Sequence, residues 1–218
     1  IMFKKRFKVL VACEESQAIT KEFRNMGHDA YSCDLLPCSG GHPEWHYQED
    51  VFEVIKKQEW DIMIAHPPCT YLAVSGARWM YNKDGSVNEE RLKNQHDALD
   101  FVKRLMDAPI KSIAIENPIS VISSQIRKPD QIVHPYHFGD KASKSTCLWL
   151  KNLPKLEHTE VVEKGEFKEW IDKKSGKLKK QAKWYYDALI TAKSSAERRT
   201  LRSKTFKGMA EAIADQWG

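Results

Sequence analysis

Two hydrophobic periods alternate along the first half of the chain. Phe7-Lys8-Val9-Leu10-Val11-Ala12 and Asp61-Ile62-Met63-Ile64-Ala65 are short apolar runs, the pattern of strands buried on both faces, and the second halts at Pro67-Pro68. His28-Asp29-Ala30-Tyr31-Ser32-Cys33-Asp34 predicts a strand ending in an acid, and Ser112-Ile113-Ala114-Ile115-Glu116 predicts another, ended by Asn117-Pro118. Between them the spacing turns helical. Ala18, Ile19, Glu22, Phe23 and Met26 form a stripe closed by Gly27, and Val51, Val54, Ile55 and Gln58 form a second. A third, Leu92, Gln95, Leu99, Val102 and Met106, opens with a capping box at Ser86-Val87-Asn88-Glu89. Residues 38–50 and 71–87 predict loops. This alternation predicts an α/β fold, a mostly parallel sheet with helices on both faces.

The second half is less regular. Residues 131–138 and 146–150 predict strands, residues 181–192 a helix, and residues 161–170 fit either state. Phe206, Met209, Ala210, Ile213, Ala214 and Trp217 predict a terminal helix whose apolar face needs the main body to cover it. There is no internal repeat and no low-complexity linker, and 218 residues with 41% apolar content suit one domain. With 30% charged and 10% aromatic residues the chain is unlike a disordered one, and it holds no apolar run long enough for a membrane span. The basic first ten residues lack the apolar core of a signal peptide. The five cysteines are odd in number and widely spaced, so a reducing cytoplasm is expected rather than a disulfide scaffold.

Charge divides the chain. Residues 1–150 carry 19 basic and 20 acidic side chains, whereas residues 151–218 carry 16 and 10, and residues 168–207 alone carry 13 and 4. A polyanion is the natural partner of such a stretch, although lysine is also the commonest solvated surface residue.

In a parallel sheet, ligands sit at the C-terminal ends of the strands. Four strand ends here carry reactive groups: Cys13-Glu14-Glu15-Ser16, Asp34, His66-Pro67-Pro68-Cys69 and Glu116-Asn117-Pro118. Cys69, on a turn stiffened by two prolines, suits a nucleophile, though a lone cysteine is more often a small core residue. Glu116, after Ile113 and Ile115, suits a carboxylate of perturbed pKa facing a heteroatom ring, or a helix-capping acid. Asp34 stands where a ribose diol is commonly gripped. The first turn holds no glycine and two acids, which disfavours the diphosphate of NAD or of a P-loop nucleotide and points to the cationic S-adenosyl-L-methionine. Cys33, Cys38, His42 and His46 have spacing within reach of zinc, but such loop clusters are common and no metal is expected.

Taken together, these motifs resemble the DNA cytosine-5 methyltransferases, especially the short forms carried by bacteriophages. Pro67-Pro68-Cys69 followed by Thr70-Tyr71-Leu72 resembles the family's catalytic loop, and Glu116-Asn117-Pro118 its Glu-Asn motif. The first strand and turn, with Asp34, resemble its cofactor site, and Asp50-Val51 the acid on the adenine side. Phe138-Gly139-Asp140 and Lys144-Ser145-Thr146-Cys147 resemble the segments after the catalytic core, and Thr205-Phe206-Lys207-Gly208 the late return to the cofactor pocket. The family's Gln-x-Arg-x-Arg run is absent, with Lys141 and Lys144 as candidate substitutes, and only about 55 residues remain for target recognition.

The resemblance implies one methyltransferase domain over residues 1–218, with residues 151–204 as a reduced basic insertion and residues 205–218 as a helix returning to the core. It implies that Cys69 adds to carbon 6 of cytosine, that Glu116 and Lys144 assist, and that carbon 5 is methylated by S-adenosyl-L-methionine. Cys13, Glu14, Glu15, Ser16, Asp34, Leu35, Asp50, Val51, Pro67 and Phe206 would line the cofactor. Pro68, Asn117, Pro118, Arg78, Trp79, Lys141, Lys179, Lys180 and Lys183 would meet DNA, with a short or loose target sequence and a possible place in restriction–modification. Two alternatives stand beside this: the same chemistry on a free pyrimidine nucleotide, and a catalytically silent DNA-binding protein of the same fold.

Overall fold

The computed structural model describes residues 5–218; the reading of the chain start as no signal peptide falls partly on residues 1–4, outside the described residues. The expected alternation is present: β1 (Lys8–Ala12), α1 (Ala18–Asn25), β2 (Asp29–Cys33), β3 (His46–Tyr47), α2 (Val51–Lys56), β4 (Ile62–Ala65), α3 (Glu89–Met106) and β5 (Ser112–Asn117). A single turn α4 (Ile122–Gln125) leads to β6 (Gln131–Val133) and β7 (Thr146–Lys151). A separate hairpin, β8 (Phe167–Ile171) and β9 (Leu178–Ala182), precedes α5 (Lys183–Thr191), α6 (Ser195–Ser203) and α7 (Lys207–Trp217).

Seven strands form one sheet in the order β3-β2-β1-β4-β5-β7-β6. β1 to β5 pair in parallel, and β7 runs antiparallel between β5 and β6. Strand order reverses between β1 and β4, which places a topological switch point at their C-terminal ends. Alternate residues of β1, β4 and β5 feed two cores. Leu10, Met63, Ile113 and Ile115 pack with Val54 of α2 and Leu99, Val102 and Leu105 of α3. Val9, Val11, Ile62, Ile64 and Ala114 pack on the other face with Ile19 and Phe23 of α1 and with α7. Burial on both faces is why these strands read as unbroken apolar runs.

α7 is too short to persist alone. It is held by Met209, Ala210, Ile213, Ala214 and Trp217, all buried, each large side chain contributing roughly 1.5–3 kcal/mol, and by the Trp217 indole donating to Pro154 O at 2.9 Å. Its entry is fixed by the Asp140 carboxylate, which accepts from Gly208 N at 2.9 Å; a side chain at Gly208 would collide with the Phe138 carbonyl.

Local readings change in four places. Residues 38–50 contain a turn of 3-10 helix and β3, which pairs with β2. Asn88, not Ser86, caps α3, accepting from Arg91 N at 3.0 Å, while Ser86 is held by Asp84. β6 stops at Val133 because Pro135 has no N–H to continue the ladder. β9 takes residues 178–182, so the following helix begins only at Lys183.

Candidate active site

Strand register aligns the reactive groups. Ala12 pairs with Cys33 and with Ala65, and Ala65 pairs with Ile115, so the next residues, Asp34, Cys13, His66 and Glu116, form a row along the sheet's C-terminal edge. Backbone bonds carry the row past the strand ends, with Glu14 N donating to Cys33 O at 3.1 Å and His66 N to Ala12 O at 3.0 Å.

At one end of the row, the His66 ring nitrogen Nδ1 lies 2.7 Å from Glu116 Oε2, both side chains being 14% exposed. Burial opposes ionisation of each, but each favours the charge of the other: the Glu116 carboxyl is held below its ordinary range by the His66 hydrogen bond and charge and by Lys144. Burial likewise opposes the His66 imidazolium, yet Glu116, and after it Glu14, raises it above the usual histidine value. His66 Nε2 is buried with no partner among the described residues.

Cys69 follows immediately. Asn117 Nδ2 donates to Pro67 O at 2.8 Å, tying the end of β5 to the Pro-Pro turn. Leu72 N and Ala73 N close on Cys69 O at 3.0 and 2.9 Å, while Arg91 and Gln95 of α3 donate to Thr70 O and Tyr71 O, each at 3.0 Å. The backbone under Cys69 is thus gripped from β5 and from α3. The residue is exposed, but crowding about its sulfur and the charge of Glu116 raise the thiol, while Lys144 and Arg202 pull it back. Lys144 Nζ donates to Lys204 O at 3.1 Å, and the Arg202 guanidinium lies 3.8 Å over the Tyr185 ring.

At the other end of the row, Cys13 has a left-handed backbone (φ 59°), and burial followed by the charge of Asp34 pushes its thiol well above the ordinary range, with Asp50 adding to it. Asp34 Oδ1 accepts from Leu36 N at 2.9 Å, Asp50 Oδ1 caps α2 through Phe52 N at 2.8 Å, and the other oxygen of each accepts nothing among the described residues. Leu35 beside them is 72% exposed. Two open carboxylate oxygens and an uncovered apolar side chain fit an adenosine, whose hydroxyls donate and whose base is apolar on its faces; they do not fit a diphosphate.

Several expected site residues are occupied otherwise. Glu14 is buried and its carboxylate accepts from Ile19 N, Thr20 N and Thr20 Oγ1 at 2.7–3.3 Å, so it caps α1 in place of a side chain at the helix's own N-cap. Val51 is core, Ser16 accepts from Ala18 N, and Glu15 accepts from Ser39 Oγ at 2.6 Å. Phe206 packs edge-on against Trp184, 5.3 Å between centroids, at the joint between the body and residues 167–203. Pro68 is exposed and Pro118 half-buried. Arg78 lies over Trp79, which is 57% exposed, on the outer helical turn Val74–Met80. Lys141 pairs with Glu163, Lys179 with Asp172, Lys180 with Glu169 and Lys183 with Asp187, at 2.6–3.6 Å. Lys173, Lys174 and Lys177, near the hairpin tip, have no acidic partner among the described residues.

The Cys33, Cys38, His42 and His46 quartet is not gathered. Cys33 Sγ donates to Glu49 O, His42 pairs with Glu44, and His46 contacts Ser32 and Leu36 O. Among the described residues no group of three His, Cys, Asp or Glu is placed to hold a metal, and no helix is long and apolar enough to cross a membrane.

Three neighbours of the row, Gln17, Gly40 and Arg202, lie outside the residues singled out from sequence. Gln17, fully buried and left-handed (φ 58°), bonds Ser32 Oγ, His42 O and His42 N, clamping the loop 38–45 onto the first turn. Gly40 provides the close approach there that the glycine-free turn does not. His66 was legible as Glu116's neighbour once β4 and β5 are aligned. Arg202 carries no local signal, because its place depends on how α6 lies against the body.

No protein-family model matches this chain, and no curated protein does. Among solved structures, a prophage-encoded E. coli protein assigned as a DNA modification methyltransferase is similar at TM-score 0.38 and 13% identity, over 65% of this chain and 45% of its own. The S. pombe Dnmt2 methyltransferase is similar at TM-score 0.39 and 15% identity, over 88% of this chain and 62% of its own. The chain therefore spans less than two thirds of the length of either, and at these values neither likeness assigns it an activity. The sheet itself, with β7 antiparallel between β5 and β6, is a mostly parallel Rossmann-like α/β arrangement.

Proposed function

We propose that this chain transfers a methyl group from S-adenosylmethionine to carbon 5 of cytosine in DNA, through a covalent adduct on Cys69. The observation that carries this reading is the pairing of Cys69, on a turn fixed from two sides, with an ionised Glu116 at the end of the neighbouring strand. Carbon 5 of cytosine is a weak nucleophile until a sulfur adds at carbon 6 and the far side of the ring is held. Cys69 is placed for the first task and Glu116 for the second. Lys144 and Arg202 favour the thiolate that attack requires.

Asp34, Asp50, Cys13 and Leu35 would hold the cofactor by its adenosine. When bound, S-adenosylmethionine supplies an electrophilic methyl group. A target base within a duplex must be extruded at a cost of a few kcal/mol. Residues 70–82, which follow Cys69 in the chain, would close over it with Arg78 and Trp79. Residues 151–204 are few and basic, so phosphate contacts would dominate and the target sequence would be short or loose.

A methyl-transfer assay with radiolabelled cofactor separates the possibilities. Label on duplex or single-stranded DNA that resists exchange at carbon 5 is the expected result. Label on cytidine nucleotide alone would replace the DNA reading, and none on any substrate would remove the enzymatic one.

A further inference from the structure

His66 is absorbed by neither task above, yet it is the group most tightly bound to Glu116. Glu116 Oε2 is taken by His66 Nδ1 at 2.7 Å, while Oε1 accepts nothing among the described residues and is the oxygen left for a substrate ring. A carboxylate kept ionised by this contact can accept a hydrogen bond from the exocyclic amine of cytosine, but it has no proton of its own for N3. The nearest proton is the one on the imidazole.

We infer that His66 is a positioning residue that supplies, through Glu116, the proton taken up by cytosine N3 when Cys69 adds to carbon 6. The inference rests on the cytosine reading above. As the sulfur bonds to carbon 6, the C5–C6 π pair becomes the C4–C5 π bond and the C4–N3 π pair moves onto N3. His66 Nδ1 gives its proton to the Glu116 carboxylate, which turns to hand that same proton to N3, so His66 ends neutral and Glu116 ends ionised. The thiol proton of Cys69 leaves to water. When carbon 5 later loses its proton and the C6–S bond breaks, N3 returns its proton and the ion pair is restored.

The groups facing His66 set its pH window: Glu116 from β5, Glu14 from the turn after β1, and Lys144 from the segment before β7. Burial and Lys144 work against its charge and the two acids work for it, with the acids ahead. The imidazolium and the Cys69 thiolate are the competent forms, and the thiol is raised, so above the raised histidine pKa the loss of imidazolium offsets the gain in thiolate and adduct formation levels off instead of climbing with pH.

Two measurements on the full chain test this. Nitrogen-15 NMR of the His66 ring should show it titrating above the ordinary histidine value. The rate of Cys69 adduct formation with single-stranded DNA containing 5-fluorocytosine should rise with pH up to that titration and level off above it. His66→Gln keeps a donor for Glu116 but has no proton to release. Below that titration it should form adduct at least tenfold more slowly, with a rate that keeps rising with pH instead of levelling off, and with cofactor affinity unchanged. A His66→Gln variant with wild-type rate and pH profile would overturn the inference, as would a ring that titrates at or below the ordinary histidine value. Absence of adduct in the wild type at every pH is a different failure: it removes the cytosine reading and this step with it.

Discussion

The sheet body and the basic lobe are built on opposite terms. In the body, every strand from β1 to β5 except the short β3 buries several residues, and the reactive row Asp34–Cys13–His66–Glu116 rises directly from strands packed on both faces. In the lobe, β8, β9, α5 and α6 bury a single side chain, Ala188, while Ile171, Leu178 and Ile190 are 60–66% exposed. A two-stranded hairpin and two nine-residue helices without a core are marginal on their own. The lobe is instead tied on at a few points: Trp184 Nε1 to Ser143 O, Lys144 to Lys204 O, and Phe206 against Trp184. On the proposed reading, groups that need fixed geometry sit on the well-packed part, and groups that would follow a polyanion sit on the part without a core. Arg202 is the exception, reaching from the lobe to the field of Cys69.

Variants in the body should act on chemistry, folding or cofactor binding, and variants in the lobe, Arg202 aside, on affinity for DNA. Cys69→Ala should show the largest effect, abolishing methyl transfer while cofactor affinity, read by calorimetry, stays within a few-fold; a turnover-competent variant would move the reactive centre elsewhere. Glu14→Ala leaves two backbone N–H groups of α1 and a buried hydroxyl without their acceptor. It should destabilise the chain by about 2–3 kcal/mol in urea denaturation. A loss of cofactor binding without loss of stability would return Glu14 to the cofactor site. Asp34→Ala should do the reverse, weakening S-adenosylmethionine by roughly 1.5–3 kcal/mol at unchanged stability.

The smallest effects fall in the lobe. Replacing Lys173, Lys174 and Lys177 together should weaken binding to unrelated DNA sequences alike and flatten the slope of log affinity against log salt, by up to about one unit per lost phosphate contact. The triple change at Lys179, Lys180 and Lys183 should do less to that slope, because each already faces an acid of its own lobe. Equal effects from the two triples would mean that DNA breaks those pairs on binding.

The same contrast governs what the sequence reveals. β1, β4 and β5 are legible because burial on two faces forbids polar residues, and α7 because its stripe needs a partner. Cys69 and Glu116 are legible because Pro-Pro and Asn-Pro mark the strand ends that hold them. β8, β9 and α6 are not, since exposed strands and helices leave no periodic trace and are settled by ion pairs such as Lys179–Asp172. Glu14 misleads for a related reason: an acid at a strand end suits a ligand or a helix N-terminus equally, and only the fold shows that α1 takes it.

The central claim is that Cys69, on the turn just beyond the row on the sheet edge, adds to cytosine. It is tested most directly by incubating the full chain with S-adenosylmethionine and DNA carrying 5-fluorocytosine, digesting it, and mapping the adduct by mass spectrometry. A fluorine at carbon 5 cannot leave as a proton, so the complex should remain covalent, with methylated base on the peptide that contains Cys69 and nothing on Cys13, Cys33, Cys38 or Cys147. An adduct on any other cysteine, or methylated DNA released without one, would contradict the account.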